Sequence, residues 1–261
     1  MTAPSDQGRW GDLAPRMASA AVMLLVGAAA LWAGGLAFRL LAVALVGLMV
    51  WELVRILEPG ADTGKPIALG LSAAVAVFVF QANLPGWPGL VAVALAVPLV
   101  GWRLPAPRAR GFGYLALILF AGFALITMRE LYGLLWVLWL VLLVIGSDVA
   151  GYFAGRLIGG PKLWPRVSPK KTWSGTLAGW VLAALIGWAF AGWLGVGPGL
   201  MVLSVLVAMA GQAGDIAESA IKRHAGVKDS SNLIPGHGGV MDRFDAMIAA
   251  ALMVLVLAET N

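Results

Sequence analysis

Five acidic residues stand at the ends of long apolar segments, where a carboxylate is costly unless something neutralises it. Asp148 ends one apolar segment, and Asp215 and Glu218 end a later one. Asp242 and Asp245 begin the last apolar segment. Each of the two pairs has i,i+3 spacing, which puts both carboxylates on one helix face. A charge inside an apolar membrane helix costs about 2.5–3.5 kcal/mol, and gathered acids also repel one another.

A bound divalent cation would remove both costs. The chain has no cysteine, and carboxylate ligands without thiolates or clustered histidines favour a hard ion, Mg²⁺ before Zn²⁺. We therefore predict one or two divalent ions at these acids. A second site could take a different cation. The alternative is that the acids form ordinary interfacial salt bridges with Lys222, Arg223 and Arg243.

A glycine-rich loop, IPGHGGV at 234–240, leads into the last apolar segment. Its backbone N–H groups and the helix N-terminus that follows favour phosphate binding, with Gly238 and Gly239 allowing close approach. The alternative is a flexible turn between two helices. The chain lacks the lysine motif of a P-loop, so a P-loop NTPase is excluded.

His237 lies inside this loop and invites assignment as a general base. A phosphate monoester has a second pKa of about 6, so as a nucleophile it is already anionic at pH 7 and needs no base. We therefore assign His237 to phosphate donation or to loop ordering.

A second basic segment, RVSPKKTW at 166–173, precedes another apolar segment. Ser168-Pro169 fits a turn, Lys170 and Lys171 favour phosphate binding, and Thr172 or Ser174 is expected to cap the next helix. The alternative is that these cations mark only the cytoplasmic side of a membrane. The same two interpretations apply to Lys222, Arg223 and Lys228.

The composition is that of an integral membrane protein. Of the 261 residues, 61% are hydrophobic and 12% charged, and the mean hydropathy is +0.89, whereas a soluble domain is nearer half apolar and a quarter charged. The net charge of +5 follows membrane topology, as shown below, and does not indicate a nucleic-acid partner.

The apolar segments predict an all-α, polytopic membrane protein with about nine transmembrane helices. We expect a single domain over 1–261, with a polar tail at 1–16, N-terminal helices over 17–104 and C-terminal helices over 111–258 that carry the polar motifs. A cleaved signal peptide is the alternative interpretation of the first apolar segment. The predicted spans are 17–36, 40–57, 66–82, 89–102, 112–128, 131–147 with an extension to 158, 175–194, 200–216 and 240–258.

The distribution of Lys and Arg over the loops supports this helix count. With the N-terminus in the cytoplasm, all 18 Lys and Arg residues except Arg39 and Arg129 fall on the cytoplasmic side. This alternation predicts an N-in, C-out protein of the inner (plasma) membrane. The five acids then lie at cytoplasmic helix ends, which places the active site at the cytoplasmic face.

The segment 219–245, SAIKRHAGVKDSSNLIPGHGGVMDRFD, resembles the signature of phosphatidate cytidylyltransferases (CDP-diacylglycerol synthases). Gly214-Asp215-x-x-Glu218-Ser219 and Ser168-Pro169-x-Lys171-Thr172-x-x-Gly175 are similar to two further blocks of that family. The resemblance covers about 147–250. The matching signature positions are Ser219, Lys222, Arg223, Lys228, Asp229, Pro235, His237, Gly238, Gly239, Asp242, Arg243 and Asp245.

The resemblance implies that CTP and phosphatidate react to CDP-diacylglycerol and pyrophosphate with Mg²⁺, at the bilayer surface. It also implies roles for the residues discussed above. The implied metal ligands are Asp215, Asp242 and Asp245, with Asp148 and Glu218 in a first or second shell. The implied catalytic set is Asp215, Asp242, Asp245, Lys171, Lys222 and Arg223. The implied substrate-binding set is Ser168, Lys170, Thr172, Lys228, Asp229, His237, Gly238, Gly239 and Arg243.

Two other classes of protein compete with this interpretation. A CDP-alcohol phosphotransferase needs Asp-x-x-Asp followed by glycine, whereas Ala246 follows Asp242-x-x-Asp245. A transporter usually carries its polar residues at mid-membrane on broken helices, whereas here they gather at one face. Small-residue helix faces, together with the resemblance, predict a homodimer.

Overall fold

The computed structural model describes residues 13–84, 86–104 and 108–258, and this part of the chain is mostly helical. Residues 1–12, most of the predicted polar tail, lie outside it, as do 105–107 and 259–261. The helices are α1 (Leu13–Ala33), α2 (Gly35–Leu57), α3 (Gly64–Asn83), α4 (Trp87–Gly101), α5 (Arg108–Thr127), α6 (Leu134–Leu157), α7 (Trp173–Ala191), α8 (Gly199–His224) and α9 (Met241–Ala258). A short π-helical turn, Met128–Tyr132, extends α5.

Seven of these helices are long and apolar enough to cross a membrane, which makes the protein multi-pass. Helix α4 is shorter, at 15 residues, and contains Pro98. Helix α9 is 18 residues long, but its first turns contain Asp242, Arg243 and Asp245. Crossing by α4 and α9, which would complete nine spans, stays a prediction, as does the orientation of the protein.

A small β-hairpin departs from the all-α prediction. Strand β1 (Lys162–Trp164) pairs antiparallel with β2 (Ser168–Thr172), and Lys162 faces Thr172 in the register. The prediction of a turn at Ser168-Pro169 is wrong, because these residues begin β2 and the turn lies at 165–167. A two-stranded sheet has only edge strands, so a proline with no N–H is tolerated there.

The end of the hairpin also starts α7. Thr172 is the N-cap residue of α7, and its hydroxyl accepts a hydrogen bond from the backbone N–H of Gly175 at 3.2 Å. The predicted cap is therefore confirmed at Thr172. Ser174 instead donates to the carbonyl of Gly159 at 2.5 Å, which ties the start of α7 to the segment just after α6. The basic segment is fixed to α7 through Thr172.

Glycines let the helices that carry the acids approach closely. A Cβ added to Gly175 of α7 would lie 2.4 Å from the carbonyl oxygen of Gly151 on α6. A Cβ on Gly214 of α8 would lie 2.6 Å from the carbonyl oxygen of Asp245 on α9. Contacts this short leave no room for a side chain, so glycine at these positions allows α6–α9 to bring their acidic ends together.

The two exceptional arginines lie at the other end of the helices. Arg39, near the start of α2, pairs with Glu130 at 2.6 Å, and Gln81 donates to the same carboxylate at 2.8 Å. Arg129 donates to the carbonyl of Leu31 at 2.8 Å. From Arg39 to the last residue of α2, Leu57, the helix rises about 27 Å at about 1.5 Å per residue. The network therefore lies most of the ~30 Å hydrocarbon core of a bilayer away from the other end of α2.

We expect Gly214→Ala to destabilise the protein. The added methyl group would collide with the Asp245 carbonyl and with Ala249 Cβ, 2.7 Å away, and overpacking of this kind typically costs about 1–3 kcal/mol. Thermal unfolding in detergent should therefore show a lower melting temperature. Gly27→Ala is the matched control, because a Cβ on Gly27 meets no atom within 4 Å. Equal melting temperatures for the two variants would contradict the tight contact.

Candidate active site

Three carboxylates meet where α8 and α9 come together. Asp215 and Glu218 lie one helical turn apart on α8, and Asp245 faces them from α9. Each of the three offers one oxygen, and these oxygens all lie within 4.8 Å of one another. We call Asp215, Glu218 and Asp245 the acidic cluster. Its three residues are among the five acids for which the sequence predicts a metal.

The chemistry of the acidic cluster fits a hard divalent cation. Glu218 is fully buried, and its Oε1 has no hydrogen-bond donor among the described residues. A buried carboxylate oxygen without a partner is costly. The cluster supplies only oxygen ligands, which suit Mg²⁺. The neighbouring cation, Lys222, lies 2.6 Å from Oε2 of Glu218 and leaves the Oε1 side of the carboxylate without a partner.

Asp242 is held differently from the acidic cluster. Its Oδ1 accepts a hydrogen bond from Lys222 Nζ at 2.5 Å. Its Oδ2 accepts from the backbone N–H groups of Gly239 at 2.7 Å and Ser230 at 2.8 Å, and from the Ser230 hydroxyl at 2.9 Å. In this structure, Asp242 therefore orders the glycine-rich loop. Its assignment as a metal ligand stays a prediction.

The basic hairpin meets the acidic cluster across a cavity. Lys171 on β2 lies 2.5 Å from Asp215 Oδ2. The cavity has a volume of about 390 Å³, and Asp148, Lys170 and Asp215 contribute to its wall. The structure thus brings the predicted basic segment and two of the predicted ligands, Asp148 from α6 and Asp215 from α8, around one space.

The remaining predicted binding residues lie mainly in the loop between α8 and α9. The ring of His237 is hydrogen-bonded through Nδ1 to the hydroxyl of Ser19 at 2.8 Å, and Arg243 donates to the carbonyl of His237 at 2.8 and 3.0 Å. These contacts order the loop, in agreement with one of the two roles expected for His237. Arg223, Lys228 and Asp229 are exposed.

The predicted phosphate cradle is partly occupied by the protein's own carboxylates. The N–H of Gly239 is donated to Asp242 at 2.7 Å, and those of Val240 and Met241 are donated to Glu52 at 2.9 and 2.7 Å. Phosphate binding by Gly238 and Gly239 stays a prediction.

Sequence reasoning missed two residues near this site. Glu52 on α2 is fully buried and binds the loop. Its signal was a single acid within an apolar segment, which is by default a candidate functional residue. Tyr114 on α5 is 3% exposed, and its hydroxyl has no partner among the described residues. Tyr114 lines a cavity together with Ala217 and Ile221 of α8, the helix that carries Asp215 and Glu218. No pattern around Tyr114 marked it.

The fold and the site together define an enzyme-like class: a multi-pass helical membrane protein with a carboxylate cluster and a basic hairpin at one end of its helices. Residues 14–260 match the model of the family described as "Cytidylyltransferase family". The chain therefore belongs to the cytidylyltransferase family, and it is an enzyme.

Named relatives agree with this assignment. The chain is 35% identical over 236 residues to the phosphatidate cytidylyltransferase of Brucella suis biovar 1 (strain 1330). This alignment covers 85% of this chain and 84% of the relative. It is 41% identical over 138 residues to that of Helicobacter pylori (strain J99), covering 52% and 51%. For the Haemophilus influenzae protein the identity is 43% over 126 residues, covering 46% and 44%. The resemblance found in the sequence is confirmed.

We expect Asp245→Asn to weaken divalent-cation binding by at least about 10-fold, since even outer-shell changes at metal sites cost 10–100-fold. The substitution removes one negative charge from the acidic cluster at nearly constant volume. Binding of Mn²⁺, as a paramagnetic substitute for Mg²⁺, can be measured by electron paramagnetic resonance in detergent.

Asp62→Asn is the control for this experiment. Asp62 lies in the loop before α3, where its carboxylate accepts hydrogen bonds from the N–H groups of Gly64 and Lys65. The same chemical change there should leave Mn²⁺ binding unaltered. Wild-type affinity in Asp245→Asn would remove the acidic cluster as the metal site.

Proposed function

We propose that this enzyme transfers a cytidylyl group from CTP to phosphatidate, giving CDP-diacylglycerol and pyrophosphate. The observation that carries the proposal is the meeting of the acidic cluster with Lys171 at the end of apolar helices. A metal-fitting carboxylate site beside a basic hairpin suits a nucleoside triphosphate, and its place in the bilayer suits a lipid partner. The names of the relatives supply the substrates.

The reaction joins two anions. A phosphate oxygen of phosphatidate forms a bond to the α-phosphorus of CTP. The bond from that phosphorus to the oxygen bridging to the β-phosphorus breaks, and pyrophosphate departs with the electron pair. At pH 7 the lipid phosphate is already largely deprotonated, because its second pKa is about 6. The protein therefore needs no general base, and the loop-ordering contacts of His237 are consistent with this.

The acidic cluster would hold the divalent ion, for which Mg²⁺ is the best fit. Such an ion, when bound, neutralises charge on the triphosphate and on the departing pyrophosphate. Asp148, on the wall of the same cavity, and Asp242 are the further ligands that we predict. The metal count, one or two, is part of this proposal.

The cations of the chain divide the remaining work. Lys171 and Lys170 face the cavity and would bind the phosphates of CTP, Lys171 exchanging its contact with Asp215 for one with substrate. Lys222 lies between Glu218 and Asp242, 2.6 and 2.5 Å from their oxygens, and keeps these two acids together. Preorganised charges of this kind are usually the largest contribution to catalysis of phosphoryl and acyl transfer.

Other residues keep their predicted roles as part of the proposal. Arg223 and Arg243 would act near the phosphates from the α8–α9 loop. The further substrate-binding residues of the proposal are Ser168, Thr172, Lys228, Asp229, His237, Gly238 and Gly239. Thr172 would bind substrate through groups other than the hydroxyl lone pair that caps α7.

The arrangement of charges supports a cytoplasmic active site in an inner-membrane protein. Arg39 and Arg129 lie at the end of the helices opposite the acidic cluster, and the other basic residues predominate at the cluster end. CTP would then reach the cavity from the cytoplasm, while the tails of phosphatidate stay in the bilayer. The homodimer stays a prediction for which small-residue helix faces are the support.

The direct test uses purified protein in detergent with phosphatidate, Mg²⁺ and CTP labelled at the α-phosphate. We expect label to enter the lipid phase, to require phosphatidate and to disappear with EDTA. Diacylglycerol in place of phosphatidate is the matched control, because it lacks the attacking phosphate. Folded protein that labels no lipid under several lipid and metal conditions would overturn the proposed function.

Lys171→Ala tests the role of the hairpin. We expect kcat/KM for CTP to fall by about 100-fold, the loss typical when one donor that stabilises developing charge is removed. Steady-state kinetics over CTP concentration measures it. Lys65→Ala is the control, because Lys65 pairs with Glu58 outside the cavity. Unchanged kcat and KM in Lys171→Ala would remove the hairpin from the phosphate site.

A further inference from the structure

Glu52 is a buried acid in the N-terminal half of the chain, where the sequence showed only apolar helices. It lies near the end of α2 and is fully buried. We propose that Glu52 is a positioning residue for the reaction: its carboxylate fixes the glycine-rich loop and the start of α9 relative to the acidic cluster. Its activity readout rests on the proposed function, but its structural readout does not.

Both oxygens of Glu52 are fully used by the α8–α9 loop. Oε1 accepts hydrogen bonds from the Ser231 hydroxyl at 2.6 Å and from the N–H of Val240 at 2.9 Å. Oε2 accepts from the N–H of Met241 at 2.7 Å, and it lies 3.2 Å from the Ser230 hydroxyl, which has one hydrogen to share between Glu52 and Asp242. All four donors come from two short stretches of one loop, separated from Glu52 by more than 170 positions along the chain.

The negative charge of Glu52 stabilises the N-terminus of α9. An unpaired buried carboxylate is strongly unfavourable, whereas one that accepts several hydrogen bonds is stabilised. Met241 begins α9 and Val240 directly precedes it, so their N–H groups stand at the positive end of the helix dipole, where an anion is favoured. The carboxylate from α2 thus serves as the N-terminal cap that α9 would otherwise take from its own sequence or from water.

The loop packs against Glu52 without spare space. A Cβ added to Gly239 would lie 2.3 Å from Oε1 of Glu52 and 1.9 Å from the Ser230 hydroxyl. Glycine at 239 therefore permits the approach of the carboxylate to the helix start. The requirement for glycine at position 239 therefore has a steric cause that is separate from phosphate binding.

A chain of polar contacts leads from Glu52 to the acidic cluster. The Ser230 hydroxyl lies within hydrogen-bond distance of both Glu52 and Asp242. Asp242 accepts from Lys222 at 2.5 Å, and Lys222 is 2.6 Å from Glu218, a member of the cluster. Glu52 touches no cluster residue itself, so it acts through Asp242 and Lys222. Its loss should let this pair shift and should disturb the cluster.

Glu52→Gln is the sharpest substitution. It keeps the size of the side chain but replaces one carboxylate oxygen by an NH₂ group, which is a donor. That NH₂ group would face the N–H of Val240 or the N–H of Met241, and a backbone N–H cannot accept a hydrogen bond. We expect kcat for lipid labelling to fall by about 10–100-fold and the Mg²⁺ concentration for half-maximal activity to rise, as for other outer-shell changes at metal sites. The KM for CTP should change less than kcat.

Glu58→Gln is the matched control. Glu58 follows the same helix and pairs with Lys65, away from the loop. The same loss of charge there should leave kcat and the Mg²⁺ dependence at wild-type values. Equal kcat and Mg²⁺ dependence in Glu52→Gln and Glu58→Gln would overturn the proposal. A loss in Glu52→Gln that merely matches the lost fraction of folded protein would overturn it as well.

Hydrogen exchange gives a readout that needs no activity. Peptides that contain Val240 and Met241 should exchange their amide hydrogens faster in Glu52→Gln than in the wild type, and at the wild-type rate in Glu58→Gln. If the wild type labels no lipid, the proposed function fails, whereas the exchange result still decides whether Glu52 holds the loop. Unchanged exchange would overturn the positioning role even in an active enzyme.

Ser231→Ala approaches the same contact from the loop and covers the case in which Glu52→Gln does not fold. It removes one donor to Glu52 and keeps the buried charge paired by the two N–H groups. We expect a smaller fall in kcat than in Glu52→Gln, with faster exchange in the same peptides. Wild-type kcat and exchange in Ser231→Ala, with Glu52→Gln unfolded, would overturn the proposal.

Discussion

Electrostatic repulsion among carboxylates at the end of apolar helices is the constraint on which the site depends. Tight packing of α8 on α9 at Gly214 brings Asp215, Glu218 and Asp245 together, and Glu218 is fully buried there. In a medium of low dielectric constant, this arrangement is costly unless cations balance it. The protein supplies two lysines for this purpose, Lys171 from the hairpin and Lys222 from α8 itself. Neither reaches Glu218 Oε1, which is the position that a metal ion would satisfy.

The two lysines balance the acids in different ways. Lys222 is 9% exposed and contacts two acids at once, so it is a permanent part of the site. Lys171 is more exposed, makes one ion pair and lies on a hairpin at the edge of the cavity. A partly exposed ion pair gains little free energy, so its exchange for a phosphate costs little. In the proposed function, Lys222 would then be the structural cation and Lys171 the one that contacts the substrate.

Several features were predictable because they depend on local patterns. Helices followed from apolar length, and the Thr172 cap followed from a hydroxyl residue just before an apolar run. The i,i+3 spacing of Asp215 and Glu218 placed both on one face. The hairpin at 162–172 was missed because short strands in a polar segment leave no hydrophobic alternation. The alternative of salt bridges between the acids and Lys222 is confirmed for Asp242 and Glu218. The role of Glu52 was missed because it joins segments far apart in sequence, and no single-segment pattern reports such contacts.

The use of the loop amides changes the interpretation of the glycine-rich motif. A helix N-terminus preceded by glycines favours an anion, and here the anions already bound are Glu52 and Asp242. The backbone N–H groups of Gly239, Val240 and Met241 already donate hydrogen bonds to these two carboxylates without a substrate. They hold the two acids in place. In the proposed function, a triphosphate would therefore depend mainly on cations elsewhere. The hairpin lysines, which line the cavity, would supply them, and the glycine-rich loop would contribute by fixing Asp242, Lys222 and through them Glu218.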